Sequence, residues 1–210
     1  MEGELLGVKS NGEGKTGILK VVIADDEPIM RMNMIEILNG YPNQRFEVVA
    51  SVADGFEAIN SCREHHPEIA LLDIEMPLLD GLTAAQCIYE EGLAETIIIL
   101  TAYDSDRYID KANAIGVSGY LVKPIDSRSL ITSIRVAHGR SLEMKRLQDQ
   151  VEYTNNLMDA RKNIERAKGR LMEKMMMTED AAYHYIRGIS KSKSISMNEV
   201  AEIILKGTLK

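Results

Sequence analysis

Polar residues follow short aliphatic runs at several points in the first 125 residues of the chain. They are Asp25 and Asp26 after the first run, Asp73 after the third, Thr101 at the end of the fourth and Lys123 after the fifth. If the runs are parallel strands, their carboxyl ends meet at one edge of a sheet, so these side chains lie close together. Carboxylate oxygens without a neighbouring Cys or His ligand suit Mg²⁺, which keeps several waters. The pattern therefore predicts an acidic Mg²⁺ site.

Each of these residues also has an ordinary structural explanation. An acid after a strand often caps the next helix, and Asp26 precedes Glu27-Pro28, which is typical of a helix start. A threonine or lysine at a strand end is usually solvated surface. Chance placement of all these residues at the ends of strands is much less expected than their sharing one site.

The elements that must position this site alternate along residues 18–137. The aliphatic runs are Leu19–Ala24, Val48–Val52, Ile69–Leu72, Ile97–Leu100 and Tyr120–Val122. Between them, apolar residues recur at helical spacing. Strands that alternate with helices of about ten residues predict βαβ units. We expect an α/β domain with a five-stranded, parallel, doubly wound sheet covered by helices on both faces.

The remainder of the chain has a wholly helical pattern. Apolar and small residues step by three and four positions at Met144, Leu147, Val151, Thr154 and Met158. This spacing predicts that the last helix of the α/β domain continues into a coiled-coil-like linker.

Three shorter helical patterns follow the linker. They are Arg161–Met176, Glu179–Ile189 with Thr178 as its N-cap, and a helix that begins at Ser196. Ser196 and Glu199 have the spacing of a capping box. About fifty residues in three helices predict a small bundle with a marginal core.

Charge is distributed unevenly between the two halves. The net charge of the chain is −7, but residues 18–137 have 19 acids and 9 bases, whereas residues 138–210 have 10 acids and 14 bases. Only the basic C-terminal part suits a polyanion. There is no apolar run of membrane length and no secretory signal, and the two cysteines form no framework. These features predict a cytoplasmic protein without a membrane partner.

The patterns together predict four segments. Residues 1–17 are glycine-rich and predict a flexible lead-in, and residues 18–137 form the α/β domain. Residues 138–158 form the helical linker, and residues 159–210 form the three-helix bundle.

Four motifs of the α/β domain agree in order and spacing with a known family. They are Val22–Pro28, Leu72–Gly81, Leu100–Ala102 and Gly119–Pro124. Residues 18–137 resemble the receiver domain of bacterial two-component response regulators, which has a flavodoxin-like fold. The resemblance implies a phospho-acceptor, not a turnover enzyme, whose partner is a sensor histidine kinase.

The resemblance also implies a role for each motif residue. Asp73 is the expected phosphorylation site, and Mg²⁺ is held by Asp25, Asp26, Asp73 and the main-chain carbonyl of Glu75. Thr101 and Lys123 hold phosphoryl oxygens, Ala102 lies beside them, and Tyr120 reorients on phosphorylation.

Three details qualify this assignment. Many receivers have Asn where this chain has Glu75, and the extra carboxylate is expected to alter the hydrolysis rate of the phosphorylated state. The Lys123-Pro124 bond is expected to be cis. Packing within the strand explains Tyr120 as well as a switch does.

The first helix of the C-terminal bundle has two contrasting faces on a helical wheel. Ile164, Ala167, Leu171, Met172 and Met175 share one apolar arc, and Lys162, Arg166, Arg170 and Lys174 form a basic stripe away from it. A solvated face is the ordinary explanation of such a stripe, although only Glu173 offsets its charge.

Several further residues of the bundle are unusual for their positions. Lys168 lies within the apolar arc, where it either extends its ammonium to solvent or pairs with Glu165. Gly169 destabilises the helix interior, which suggests a close backbone approach. In the next helix, Tyr183 and Tyr185 with Arg187 could stack on bases, although core packing is the ordinary role of at least one of the tyrosines.

Three strings of the tail, Arg161–Met172, Ala182–Arg187 and Val200–Ile204, resemble the ANTAR domain of transcription antitermination regulators. The resemblance covers about residues 155–206 and implies binding to hairpin loops in messenger RNA leaders. The expected RNA contacts are Lys162, Arg166, Lys168, Gly169, Arg170, Tyr183 and Arg187. Side chains read splayed loop bases, not the deep groove of an RNA helix.

We therefore expect a response regulator that binds nascent mRNA, prevents transcription termination and forms a homodimer on phosphorylation. Two alternatives are a helical output that binds duplex DNA and one that sequesters a protein. The last helix has Asn198, Glu199 and Glu202 without an internal Arg or Lys, which argues against a DNA recognition helix.

Overall fold

The computed structural model describes residues 17–43, 45–102 and 106–207. The predicted lead-in lies outside these residues, apart from Gly17. The chain divides into two compact units, Met1–Glu143 and Met144–Lys210. Its elements are β1 (Leu19–Ala24), α1 (Pro28–Asn39), β2 (Phe46–Val52), α2 (Gly55–His65), β3 (Ile69–Asp73), α3 (Gly81–Glu90), β4 (Thr96–Thr101), α4 (Asp106–Ile115), β5 (Gly119–Val122), α5 (Ser127–Met175), α6 (Glu179–Lys193) and α7 (Met197–Lys206).

The first unit contains one five-stranded sheet with the order β2-β1-β3-β4-β5. All four strand pairs are parallel, so the predicted doubly wound α/β fold is confirmed. Strands β3 and β4 are buried along their whole length, as expected for a sheet with helices on both faces. The sheet reverses its order beside β1, which places the end of β1 next to the end of β3.

Two hydrophobic cores cover the two faces of this sheet. Alternate residues of β3 separate cleanly between them, because successive side chains of a strand point to opposite faces. Ala70 and Leu72 pack with residues of α2 and α3. Ile69 and Leu71 pack with residues of α1 and the first turns of α5.

The segment between β3 and α3 is packed directly against the end of β3. Ile74 N donates to Leu100 O at 3.0 Å, and Gly81 N donates to Ile74 O at 2.9 Å. Asp80 caps α3, since its carboxylate accepts hydrogen bonds from the amides of Leu82 and Thr83. Burial alone would raise the pKa of Asp80, but these hydrogen bonds outweigh burial and lower it. The capping carboxylate therefore stays charged.

Helix α5 is continuous from Ser127 to Met175. The prediction that the last helix of the α/β domain runs on into the linker is confirmed. The prediction of a separate helix starting at Arg161 is wrong, because no proline interrupts the segment before that point and the helix runs through its Thr, Asn and Asp residues. A long helix with internal (i, i+4) hydrogen bonds continues until such a signal ends it.

The second unit contains a three-helix core formed by the C-terminal part of α5 with α6 and α7. Its buried members are Ala167, Leu171, Ala182, Ile186, Val200, Ala201 and Ile204. Met172 and Met175, predicted within the apolar arc, are instead 39% and 51% exposed. The arc is narrower than predicted, since α6 and α7 cover only the side of α5 that carries Ala167 and Leu171.

Local capping in this unit follows the sequence closely. Thr178 accepts a hydrogen bond from Ala181 N at the start of α6. Ser196 and Glu199 form both hydrogen bonds of a capping box at the start of α7. Both predicted caps are confirmed, because such motifs depend only on residues within one turn. No helix among the described residues is long and apolar enough to cross a bilayer.

Candidate functional site

The centre of the first unit's polar site is the ammonium of Lys123, which lies between two buried carboxylates. Lys123 Nζ lies 2.8 Å from Asp73 Oδ2 and 2.8 Å from Asp25 Oδ2. The bond to Asp73 is a directed hydrogen bond. Among the described residues, Asp25 Oδ2 accepts no well-directed hydrogen bond, so the ammonium neutralises it as a nearby charge. The residues predicted at the ends of β1, β3 and β5 are therefore brought together.

Burial and mutual attraction change the proton affinities of this cluster. Burial raises the pKa of Asp73 above its ordinary value; Lys123 opposes that shift, and the charge of Asp25 adds to it. Burial tends to lower the pKa of Lys123, but the two carboxylates outweigh it and the pKa is raised. Lys123 stays protonated beside a poorly solvated carboxylate at Asp73. The positive charge of Lys123 can offset the negative charge of an anionic group that approaches the Asp73 carboxylate.

Local backbone contacts position these side chains. Asp25 N donates to Val52 O, and the Asp25 carboxylate accepts a hydrogen bond from Glu27 N at 2.9 Å. Lys123 N donates to Thr101 O at 2.7 Å, which joins the ends of β4 and β5. A cis peptide bond links Lys123 to Pro124, as expected from the family resemblance.

An acidic group suitable for a cation lies at the end of β1. The carboxylates of Asp25, Asp26 and Glu27 offer oxygens within 4.8 Å of one another. Asp25 is fully buried, whereas Asp26 and Glu27 are exposed. A buried carboxylate oxygen without a directed hydrogen bond, beside exposed carboxylates, is a donor set that fits a hard cation such as Mg²⁺. Glu27 was missed by sequence reasoning, although its place directly after two aspartates was a signal.

The remaining predicted residues of the pocket differ in exposure. Thr101 is buried with 1% of its surface exposed, and Ala102 after it is exposed. Tyr120 is partly buried and packs against the core on the α2 and α3 face. Glu75 is exposed beyond the end of β3.

An open cleft of about 560 Å³ adjoins the acidic group. Its lining residues are Asp26, Ile74, Glu75, Met76, Pro77, Asp80, Leu82, Tyr108 and Lys111. Tyr108 and Lys111 belong to α4 and were not predicted at the site, because nothing in the sequence indicates where α4 lies. The cationic side chain of Lys111 therefore lines the same cleft as Asp26 and Glu75.

In the second unit, Lys168 joins α5 to the start of α6. Its Nζ lies 2.9 Å from a carboxylate oxygen of Glu165 and 2.7 Å from one of Glu179. The side chain is only 10% exposed. Hydrogen bonds to Glu179 and Glu165 raise the pKa of Lys168, so it remains charged. The predicted pairing with Glu165 is confirmed, and the RNA contact predicted for Lys168 stays a prediction.

Arg170 contacts α7 directly. Its guanidinium donates a hydrogen bond of 2.5 Å to Leu205 O, a carbonyl in the last turn of that helix. The expectation that Arg170 lies away from the bundle is therefore wrong. The last carbonyls of a helix lack partners within the helix, and an arginine from a neighbouring element satisfies one of them here.

The other residues predicted to contact RNA lie on two outer surfaces. On α5, Lys162 and Arg166 are exposed, and Lys162 Nζ lies 3.3 Å from Asp159. Gly169 is half-buried, yet a Cβ built there would meet nothing within 4 Å. On α6, Arg187 is exposed and Tyr183 is 39% exposed.

The polar side chains of α7 are engaged within the bundle. Asn198 accepts a hydrogen bond from Asn163 of α5 and donates one to Glu202. Glu199 completes the capping box. A helix whose polar residues serve these contacts is poorly suited to read base edges in a DNA groove.

Both units are similar to known protein families. The family model of the response regulator receiver domain matches residues 21–135, and that of the ANTAR domain matches residues 154–205. The transcriptional regulatory protein PdtaR of Mycobacterium tuberculosis is 34% identical over 187 residues, 89% of each chain.

Two further similarities cover the first unit. The oxygen regulatory protein NreC of Staphylococcus epidermidis is 36% identical over 121 residues, which are 57% of this chain and 55% of that protein. The solved REC domain of AraT, a response regulator from Geobacillus stearothermophilus, is 31% identical with a TM-score of 0.52. That match covers 62% of this chain and 99% of the AraT chain.

Proposed function

Because this chain belongs to the two-component response regulators and joins a receiver domain to an RNA-binding ANTAR antitermination domain, we propose that phosphorylation of Asp73 controls its binding to hairpins in nascent mRNA. The observation that carries the receiver half is the position of Lys123 Nζ, 2.8 Å from both Asp25 and Asp73. The chain is a signalling regulator and not a classical enzyme.

Phosphoryl transfer to Asp73 follows from the local chemistry. A carboxylate oxygen of Asp73 attacks the phosphorus of a phosphohistidine on a sensor kinase. The P–O bond forms as the P–N bond breaks, and the departing imidazole takes a proton from solvent. Such transfer depends mainly on positioning and charge neutralisation. Lys123 supplies a fixed positive charge beside the attacking carboxylate, and Thr101 is the proposed hydroxyl donor to the phosphoryl oxygens.

The proposed Mg²⁺ site combines the two aspartates of the acidic group with groups at and just beyond the end of β3. Asp25, Asp26, Asp73 and the main-chain carbonyl of Glu75 would hold the ion. Bound Mg²⁺ would offset the negative charge of the incoming phosphoryl group. Asp26 and Glu75 both line the open cleft, which gives the ion and the phosphodonor access from solvent.

Replacing Asp26 with alanine should weaken Mg²⁺ binding. A supporting residue of a metal site typically changes affinity by roughly 10–100-fold, and losing a direct carboxylate ligand should cost at least as much. The measurement is a Mg²⁺ titration followed by tyrosine fluorescence, since the chain has eight Tyr and no Trp. Tyr108 lines the same cleft as Asp26 and is a local reporter.

A matched control for this titration is Glu64→Gln, which removes one exposed carboxylate on α2. It should bind Mg²⁺ like the wild-type protein. Equal Mg²⁺ affinity in the Asp26→Ala and Glu64→Gln proteins would mean that Asp26 is not a ligand.

The proposed dimer forms through the part of α5 that precedes the bundle. Met144, Leu147, Val151 and Met158 are each between 53% and 59% exposed. We call these four residues the α5 seam. With Thr154 between Val151 and Met158, these positions step by three and four residues and repeat every 3.5 on average, which is the pattern of a two-stranded coiled coil. A second copy of the same helix would cover the seam and hold two ANTAR domains together.

Pairing two ANTAR domains would suit an RNA that contains two hairpins. The second hairpin then binds at a high effective concentration, so overall affinity rises without a new type of contact. We propose that phosphorylation of Asp73 favours this dimer. The RNA is then held in the form that prevents a terminator from forming.

Replacing Leu147 with alanine should weaken both dimerisation and RNA retention. Each dimer loses two partly exposed leucines, worth about 2 kcal/mol together, which corresponds on the order of thirtyfold in dimer affinity. The test combines sedimentation of the phosphorylated protein with sequencing of the RNA that it retains from a cellular pool. The wild-type protein should retain RNAs with paired hairpins.

The control is Gln148→Ala, which changes an exposed neighbour outside the seam and should dimerise like the wild-type protein. Retention of duplex DNA in place of RNA would refute the proposed function. Wild-type dimerisation by the Leu147→Ala protein would refute the seam alone.

A further inference from the structure

One face of α6 carries exposed residues at consecutive helical positions. His184, Arg187, Gly188 and Lys191 occupy positions i, i+3, i+4 and i+7, so they form one continuous patch. We call these four residues the α6 face. All four are exposed. The opposite side of the helix carries Ala182 and Ile186, which are fully buried in the bundle. The α6 face therefore has no role in the core of this unit.

The charge of the α6 face is positive and largely unbalanced. No Asp or Glu occurs between Tyr185 and Ile195. Among the described residues, no carboxylate forms an ion pair with Arg187 or Lys191. The nearest acid on the face is Asp180, which lies 3.6 Å from His184 at the N-terminal end. Favourable interaction with the helix dipole explains Lys191 in the last turn, but not Arg187 in the middle of the helix.

Gly188 lies within this positive patch without a packing reason. A Cβ built there would meet no heavy atom within 4 Å. Its φ is not positive, so the backbone does not demand glycine either. Glycine in a helix interior destabilises the helix relative to alanine. An exposed helical glycine within a positive patch leaves room for a polyanion to approach the helix backbone closely.

The alternative RNA surface on α5 loses two of its predicted cations to contacts within the bundle. Lys168 is held by two carboxylates, and Arg170 is bonded to Leu205 O. Lys162 lies near Asp159, whereas Arg166 and Lys174 are exposed and form no ion pair among the described residues. On the α6 face, by contrast, neither Arg187 nor Lys191 is used in a contact within the bundle among the described residues.

We propose that the sugar-phosphate backbone of RNA lies along the α6 face. Arg187 and Lys191 bind successive phosphates, and Gly188 between them allows the chain to approach the helix. Tyr183 borders the face with 39% of its surface exposed and lies edge-on to His184, at 5.8 Å between ring centroids. That position suits stacking on an adjacent unpaired base. This inference rests on the proposed RNA-binding function.

The decisive variant is Gly188→Ala in the full-length phosphorylated protein. A merely structural glycine would lose stability on substitution, whereas this one should gain it, because alanine favours the helix. The melting temperature should rise while affinity for a two-hairpin RNA falls about tenfold, equivalent to about 1.4 kcal/mol, because the added methyl group keeps the RNA backbone away from the helix. Opposite changes in stability and affinity are the expected signature of a binding role.

Two further substitutions test the charges. Arg187→Gln and Lys191→Gln should each reduce the slope of log K against log salt by about 0.7, as expected for one contact with a single-stranded segment. Circular dichroism verifies that each variant is folded. The control is Gly139→Ala, at an exposed helical glycine of the first unit whose Cβ position is also open. It should raise the melting temperature and leave RNA affinity unchanged.

Gly169→Ala measures the competing surface on α5. Loss of RNA affinity in that variant, with wild-type affinity and salt slope in the three α6 variants, would overturn the α6 face and leave the RNA-binding function intact. Wild-type RNA affinity in all four variants would overturn it as well. A wild-type protein that binds no RNA would refute the proposed function itself. Binding of an acidic protein through Arg187 and Lys191, without any change in RNA affinity, would assign the face to that partner and overturn the RNA contact.

Discussion

The Asp73→Asn protein is expected to accept no phosphoryl group from acetyl phosphate under conditions that label the wild-type protein. The amide oxygen of asparagine is a far weaker nucleophile than a carboxylate oxygen, and Asp73 is the carboxylate that Lys123 binds at 2.8 Å. Its fold should persist, because asparagine has the same shape and Lys123 keeps its ion pair with Asp25. The readout is the mass increase of one phosphoryl group, lost on treatment with base as an acyl phosphate is.

Glu75→Gln is the matched control for this experiment. It removes a carboxylate two residues away, on an exposed side chain, and only the main-chain carbonyl of that residue is proposed to act. Labelling should survive, with a changed rate of hydrolysis. If the Asp73→Asn protein is labelled as well as the wild type, on an acid-stable residue, Asp73 is not the phosphorylation site.

Gly81→Ala is expected to be the most destabilising small substitution in the receiver domain. A Cβ at Gly81 would lie 1.8 Å from Asp73 O and 2.7 Å from Asp73 C. Both atoms belong to the backbone of a buried strand, so no side-chain rotation relieves the clash. We expect a loss of about 3 kcal/mol or more in the free energy of unfolding, at the upper end of overpacking effects. Urea denaturation followed by circular dichroism measures it.

The same substitution should also impair phosphoryl acceptance, since the atoms that must move include the backbone of Asp73. Gly139→Ala is the control, because it adds the same methyl group to a helical glycine with open space around it. Its unfolding midpoint should be equal to or above that of the wild-type protein. An unchanged midpoint for Gly81→Ala would show that α3 does not approach Asp73 as closely as described.

Much of the first unit could be predicted because its signals are local or repeated. Each strand of the sheet contains a predicted aliphatic run, and the residues at the strand ends were named in the correct order. Parallel strands force their carboxyl ends to one edge, so the sequence predicted that Asp25, Asp73 and Lys123 lie at that edge. The strand order then brought them into contact. The caps at Thr178 and Ser196 were equally accessible, because each depends on one turn of helix.

The cleft beside the acidic group was not predictable in this way. Tyr108 and Lys111 line it only because α4 packs at that point of the sheet edge. Glu27 joins Asp25 and Asp26 through the turn that starts α1. Hydrophobic periodicity predicts which face of a helix is buried, but not which elements lie beside that helix. Neither the α4 residues nor Glu27 could therefore be placed at the site from the sequence.

The sequence by itself determined the succession of strands and helices along the chain, the chemistry available at the sheet edge, and the basic character of the tail. These properties depend on residue type and on spacing within one element. Tertiary structure decided which cations remain available to a ligand. Lys168 and Arg170 have the same charge as Arg187, yet α6 supplies Glu179 to the first and α7 supplies Leu205 O to the second. The difference arises because a buried charge is retained only beside a partner, and the partner comes from another helix.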